Sequence, residues 1–199
     1  MAVRSSMAAL ITRVRQLIGD PAGGSQTFDD QTIQNALDHY RNDYRYEMLR
    51  GVQTFSGSNI LYLDYYAADG DWEADATLYQ FRTTLVTPAT SDYQVGHWVF
   101  AATTLPPVYL IGQQYDPYGA ACEMIDMRIA LSVLQFDFTS DGQSFRLSQI
   151  SAQLQKMKDL YLARMRPRIV TMYRSDAGQA GDLSTGPTSL DYMGSGDGR

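Results

Sequence analysis

Apolar positions open the chain at helical spacing. Met7, Leu10, Ile11, Val14, Leu17 and Ile18 make one stripe. Gly19 suits a left-handed cap and Pro21 forbids continuation, so the first helix stops there. Phe28 then precedes Asp29, a good N-cap, and is placed to staple onto Ile33 one turn inside. The second helix carries Ile33, Leu37, Tyr40, Tyr44 and Met48 on one face. At Gly51 the pattern changes. Asn59 to Tyr66 is dense in β-formers, and short strands are expected around Thr77–Phe81, Thr84–Val86, His97–Phe100 and Val108–Ile111. Gly70, Pro88, Gly96 and the pair Pro106-Pro107 punctuate them. No helical stretch separates these strands, which excludes a βαβ unit.

Helical spacing returns at Tyr118, where Cys122, Ile125, Ile129 and Val133 form a stripe broadened by Ala121, Met124, Leu131 and Leu134. Phe136 to Gly142 reads as a connector. Ser144 or Ser148 is placed to cap a last helix lined by Ile150, Leu154, Met157, Tyr161 and Met165, which Pro167 should end or kink. From Ser175 onward Gly, Ser, Thr and Asp dominate, as in a flexible arm. The expected fold is therefore α+β. It is mainly an α-helical bundle of about four helices, with an inserted small antiparallel β-module and a C-terminal arm. The divisions fall at 1–50, 51–111, 112–174 and 175–199.

Composition narrows the function classes. No apolar run reaches the roughly 20 residues of a membrane span, and the N-terminus is a poor signal peptide. One cysteine, Cys122, lies on an apolar helical stripe and reads as a small core residue. The net charge of −6 argues against general nucleic-acid binding. Its distribution is uneven. Ile150 to Arg174 holds six bases against Asp159, while Gly51 to Ile111 has only Arg82 against six acids. Such separation either lets one copy dock its basic part on a neighbour's acidic part, or gives two solvated faces of opposite sign.

Candidate chemistry is sparse. His39 and His97 stand in no metalloprotease or nucleophile motif, and no Gly-rich phosphate loop follows a strand. No catalytic residue, metal ligand or cofactor is therefore assigned, and the chain is not read as an enzyme. Asp69, Asp71, Glu73 and Asp75 alternate like half an EF-hand loop, but Ala74 and Gln80 occupy its glycine and bidentate positions, so the motif fails. The rings of Tyr62, Tyr65, Tyr66, Trp72, Tyr79 and Trp98 suggest a second reading, a carbohydrate- or host-surface-binding platform in the β-module.

The opening LITRVRQLIGDP followed by FDDQTIQNALD resembles the N-terminal helical pair of head–tail connector proteins of tailed double-stranded DNA bacteriophages, also called adaptor or head-completion proteins. The segments VYLIGQQYDPYGAACEMIDMRIAL and FDFTSDGQSFRLSQISAQLQKMKDLY are similar to the later helices of such neck proteins. The resemblance covers about half the chain. It implies a ring of copies, commonly a dodecamer, beneath the portal protein. That ring extends the channel through which double-stranded DNA passes and gives a platform for the next neck or tail component. It also implies location in the virion neck, with host cytoplasm as the site of assembly and no membrane partner. On that reading Lys156, Lys158, Arg164, Arg166, Arg168 and Arg174 pair with acids of the portal or a neighbouring subunit. Leu190, Tyr192 and Met193 anchor the arm. Asp69, Asp71, Trp72, Glu73 and Asp75 lie on an exposed β-module loop that makes contacts.

Overall fold

The first corner forms as its punctuation dictates. The computed structural model describes residues 2–133, 138–140, 143–145 and 148–166, all within one compact unit. After a 3-10 turn at Ser5–Met7, helix α1 runs Ala8–Ile18 and ends on Gly19 at φ +64°. Helix α2, Asp30–His39, starts on Asp29, whose side chain accepts the Thr32 N–H. Between them Asp20 is buried and accepts the N–H groups of Thr27 (2.7 Å) and Phe28 (3.0 Å). Burial opposes its charge. Those N–H bonds and the Arg15 guanidinium outweigh the penalty and hold the carboxyl below its ordinary value of 3.8.

The main departure from expectation starts at Arg41. Helix α2 stops at His39, and Arg41–Ser56 is a 16-residue strand, β1. Tyr40, Tyr44 and Met48 are spaced by four, which fits one face of a helix and also one face of a regular strand, although in β1 a bulge leaves Tyr44 against the sheet core and Met48 exposed. Pairing with distant strands decides the matter. Arg41–Leu49 pairs antiparallel with β7, Val108–Tyr115. Arg50–Ser56 pairs with β2, Asn59–Tyr66. A bulge between Tyr44 and Glu47, with Tyr46 at φ +59°, adds a residue where the strand changes direction.

The remaining strands are β3 (Thr77–Gln80), β4 (Thr84–Val86), β5 (Thr90–Asp92) and β6 (His97–Val99). The sheet order is β4-β3-β7-β1-β2-β6-β5. The two outer strands are neighbours in sequence, joined by 87–89, and the sheet curls into an antiparallel half-barrel. Leu49, Tyr65, Trp72, Leu78, Trp98, Phe100, Val108 and Leu110 fill its concave side. The chain is therefore not a mainly helical bundle with a small insert. The sheet begins ten residues before Gly51, and β7 runs on to Tyr115 past the expected end at Ile111.

Helix α3, Pro117–Val133, follows β7 after the single residue Asp116. Asp116 accepts the Tyr118 N–H at 3.0 Å, as an N-cap ahead of a first-turn proline does. Its own N–H donates to the Tyr40 carbonyl at 3.1 Å and ties the two helix–strand junctions together. The segment read as a connector, Phe136 to Gly142, holds strand β8 (Phe138–Ser140), which pairs with β9 (Gln143–Phe145), so that Ser144, a candidate cap, is a strand residue. Helix α4 runs Ser148–Leu162. Met7, Leu10, Val14, Ile33, Leu37, Ala121, Met124, Ile125 and Leu154 form the second core, between the helices. Ile150, expected on the apolar side of the last helix, is exposed. Pro167 and the arm from 175 lie outside the described residues.

Two outcomes follow from this packing. Gly119→Ala should destabilise the protein in chemical denaturation, although alanine is favoured over glycine by about 1 kcal/mol in a free helix. The reason is that a Cβ at Gly119 would lie 2.5–2.8 Å from the Tyr40 ring. Asp20→Asn should cost about 1–3 kcal/mol near neutral pH. Because the folded carboxyl titrates below its ordinary value of 3.8, its stabilisation is complete above that pH and fades as pH falls through the lowered value. Urea unfolding of both proteins across this range should show the difference shrinking in acid.

Candidate functional site

The acidic stretch forms a densely bonded place among the described residues. Trp72 faces the sheet core and its Nε1–H donates to the Asp69 carbonyl at 2.8 Å. That turns the chain so that Asp71 and Glu73 enter the seam between sheet and helices. Asp71 takes φ +64° and is 2% exposed. Its carboxylate meets the guanidinium of Arg13 from α1 and that of Arg166, which lies beyond α4, at 3.0 Å. Its N–H donates to Gln94 and its carbonyl accepts from Tyr115, each at 3.0 Å. Burial pushes the Asp71 carboxyl up, and the two arginines pull against that.

Glu73, 1% exposed, forms the second half of the network. It accepts the Ser6 hydroxyl and the Tyr115 hydroxyl, each at 2.6 Å, and pairs with Arg4 Nε at 3.1 Å. Burial first, then the bond to Glu73, raises the Tyr115 phenol strongly. Arg166 adds more ties. Its backbone N–H donates to Asp116 at 2.8 Å, and its guanidinium donates to the carbonyls of Gly70 (2.9 Å) and Tyr115 (3.1 Å). The network joins the N-terminal segment, the 69–73 turn, the end of β7 and the residue that follows the last described helical turn. Every carboxylate oxygen of Asp71 and Glu73 is bonded within the chain.

The expected exposed acidic loop is thus corrected for three of its members. Asp71, Trp72 and Glu73 are buried, because the tryptophan is core and the two acids have arginine partners inside the fold. Asp69 and Asp75 are exposed. The basic helix divides likewise. Lys156 and Arg164 are exposed, Arg164 lying 6.0 Å from the Tyr118 ring. Lys158 pairs with Asp126 of α3 at 2.7 Å. Arg166 belongs to the internal network. Arg168, Arg174, Leu190, Tyr192 and Met193 lie outside the described residues. Sequence reasoning missed Arg4, Arg13, Tyr115 and Asp116. The Asp116-Pro117 step was a readable cap signal, whereas the arginines had none.

The six rings of the proposed platform do not share a face. Tyr65, Trp72 and Trp98 are buried. Tyr66 stacks on His97 at 4.2 Å, with Asp64 3.0 Å from His97 Nε2. Tyr79 packs against Tyr46, which with Tyr109 lies beneath the Arg82 guanidinium. His39 faces Glu123 at 3.0 Å. Among the described residues no group of His, Cys, Asp and Glu is arranged to hold a metal ion, and no helix is long and apolar enough to cross a membrane.

No protein-family model matches this chain, and no curated protein or solved structure matches it.

The network's weight is measurable. Arg166→Met leaves Asp71 with one cation and removes the guanidinium's bonds to the Gly70 and Tyr115 carbonyls, while the backbone N–H bond to Asp116 stays. It should lower unfolding stability by about 1–3 kcal/mol. Lys156→Ala, on the exposed side of α4, should stay within about 0.5 kcal/mol. Denaturant titration of the two variants provides the comparison.

Proposed function

We propose that this chain is a structural neck protein of a tailed bacteriophage. It assembles as a ring, in the dodecameric form, beneath the portal and carries the DNA channel toward the next neck or tail component. The observation that supports this reading is where the surface keeps its apolar groups. The β1–β2 hairpin exposes Val52, Phe55 and Ile60 at its far end, and residues 51–63 contain no charged side chain. An exposed hairpin of this kind is an association element, because uncovered apolar strands otherwise invite uncontrolled pairing. The pairing of Asp71, Glu73 and Arg166 within the fold supports the same reading, since these groups tie the sheet to the helices.

Lys156 and Arg164 remain available for acids on the portal or on a neighbouring subunit. An overall charge of −6 lets DNA pass without the tight, salt-dependent hold of a basic lumen. The carbohydrate platform has lost its two tryptophans and Tyr65 to the core, and no further observation favours it.

Co-expression with the cognate portal protein is the direct test. The full-length chain should co-purify with assembled portal rings, and Lys156→Glu combined with Arg164→Glu should weaken that capture without changing the circular dichroism. Failure to bind a portal ring that captures other neck proteins would remove the proposal.

A further inference from the structure

Beyond the rim of the half-barrel, the hairpin repeats the alternation of its buried part. Tyr65 is core, opposite Gly51. Gln53 and Tyr62 come next on the same side, the Gln53 amide donating to the Tyr62 hydroxyl at 2.8 Å. Phe55 and Ile60 follow as a cross-strand pair, continuing the core-facing side by the period of two. Nothing among the described residues covers them, and they are 69% and 48% exposed. The tip is therefore a piece of core-like surface lacking its other half. With no charge from 51 to 63, it offers nothing to phosphates, lipid headgroups or a charged peptide. Its partner must be an uncharged, apolar recess.

The chain itself has such a recess at the α1–α2 corner. Thr12, Gln16, Gly19, Pro21 and Ala22 line a mostly apolar cleft of about 370 Å³. The one charge in its wall, Arg15, is buried and occupied by Asp20, Asp30 and the Phe28 carbonyl. An incoming side chain thus meets no free charge and no unpaired guanidinium. A phenyl ring brings roughly 150–250 Å² of surface to such a contact, enough to act as its central anchor.

We propose that Phe55 and Ile60 of one copy insert into the Thr12–Ala22 cleft of a second copy. Tip and cleft are different patches, so the contact is heterologous and propagates head to tail, as a ring requires. The inference rests on the neck-protein reading only for closure into a ring.

Cysteine cross-linking of the purified full-length chain, without portal, tests it. Ser58→Cys, in the exposed turn beside the anchors, combined with Gln16→Cys at the cleft should give a ladder of dimers, trimers and higher species under mild oxidation. Either change alone should leave monomers, since Cys122 is buried. No ladder in the double variant overturns the contact, and so does dimer formation by Ser58→Cys alone, which would mean tip-to-tip pairing. Sedimentation gives an independent reading in a chain free of new cysteines. Phe55→Ser with Ile60→Ser should weaken self-association at least about tenfold with unchanged circular dichroism, and unaltered association would count against the proposal. Portal capture without cross-linking would fail this inference alone, whereas cross-linking without portal capture would fail the neck reading alone.

Discussion

The constraint on which the rest of the structure depends is the burial of one carboxylate. Asp71 sits in the seam between sheet and helices, where a lone charge would be unfavourable by several kcal/mol. It is tolerable only because Arg13 and Arg166 converge on it from opposite ends of the chain. That requirement fixes where α1 lies, where the chain leaves α4, and how the 69–73 turn enters the sheet. Glu73 repeats the logic with Arg4, Ser6 and Tyr115. The helical and sheet cores each hold themselves together by apolar burial. Their mutual placement is electrostatic and directional, which apolar contact alone does not supply.

This internal use of charge changes how the surface is understood. The acidic middle and basic end of the chain looked like two faces available for docking. One pair of those charges meets inside the fold, Arg166 with Asp71, while Lys158 is paired at the surface with Asp126 of α3. Outward among the described residues are Lys156 and Arg164, Asp69 and Asp75, and an uncharged apolar hairpin. The last of these is the most unusual feature of a folded surface.

Legibility from sequence followed the range of the forces involved. The first corner was readable because its signals are local: Gly19 as cap, Asp29 three residues before the N–H it accepts, Phe28 beside Ile33. Strands β2 and β4 were readable for the same reason. The continuation of α2 through Tyr44 and Met48 was not, because a spacing of four satisfies both periods and β7, more than sixty residues away, decides. The fold class went wrong with that one segment. Asp71 and Glu73 were misplaced by the same blindness to distance, since alternation of acids looks solvated until the arginines at 4, 13 and 166 are brought to them. Phe55 and Ile60 passed as ordinary strand residues. The uncharged run around them was visible, but its projection beyond the core was not.

The two connections between layers are each a single residue long, Tyr40 between α2 and β1 and Asp116 between β7 and α3, and a hydrogen bond joins them. A protein wired this way has no hinge at that boundary. The strand that carries the hairpin leaves the helix after one residue and is bulged at Tyr44–Glu47, so the tip is tied to the helical layer at its base and exposed along its length beyond Gly51. If copies meet as proposed, the base of that strand is where the position of the tip is set relative to the helical corner.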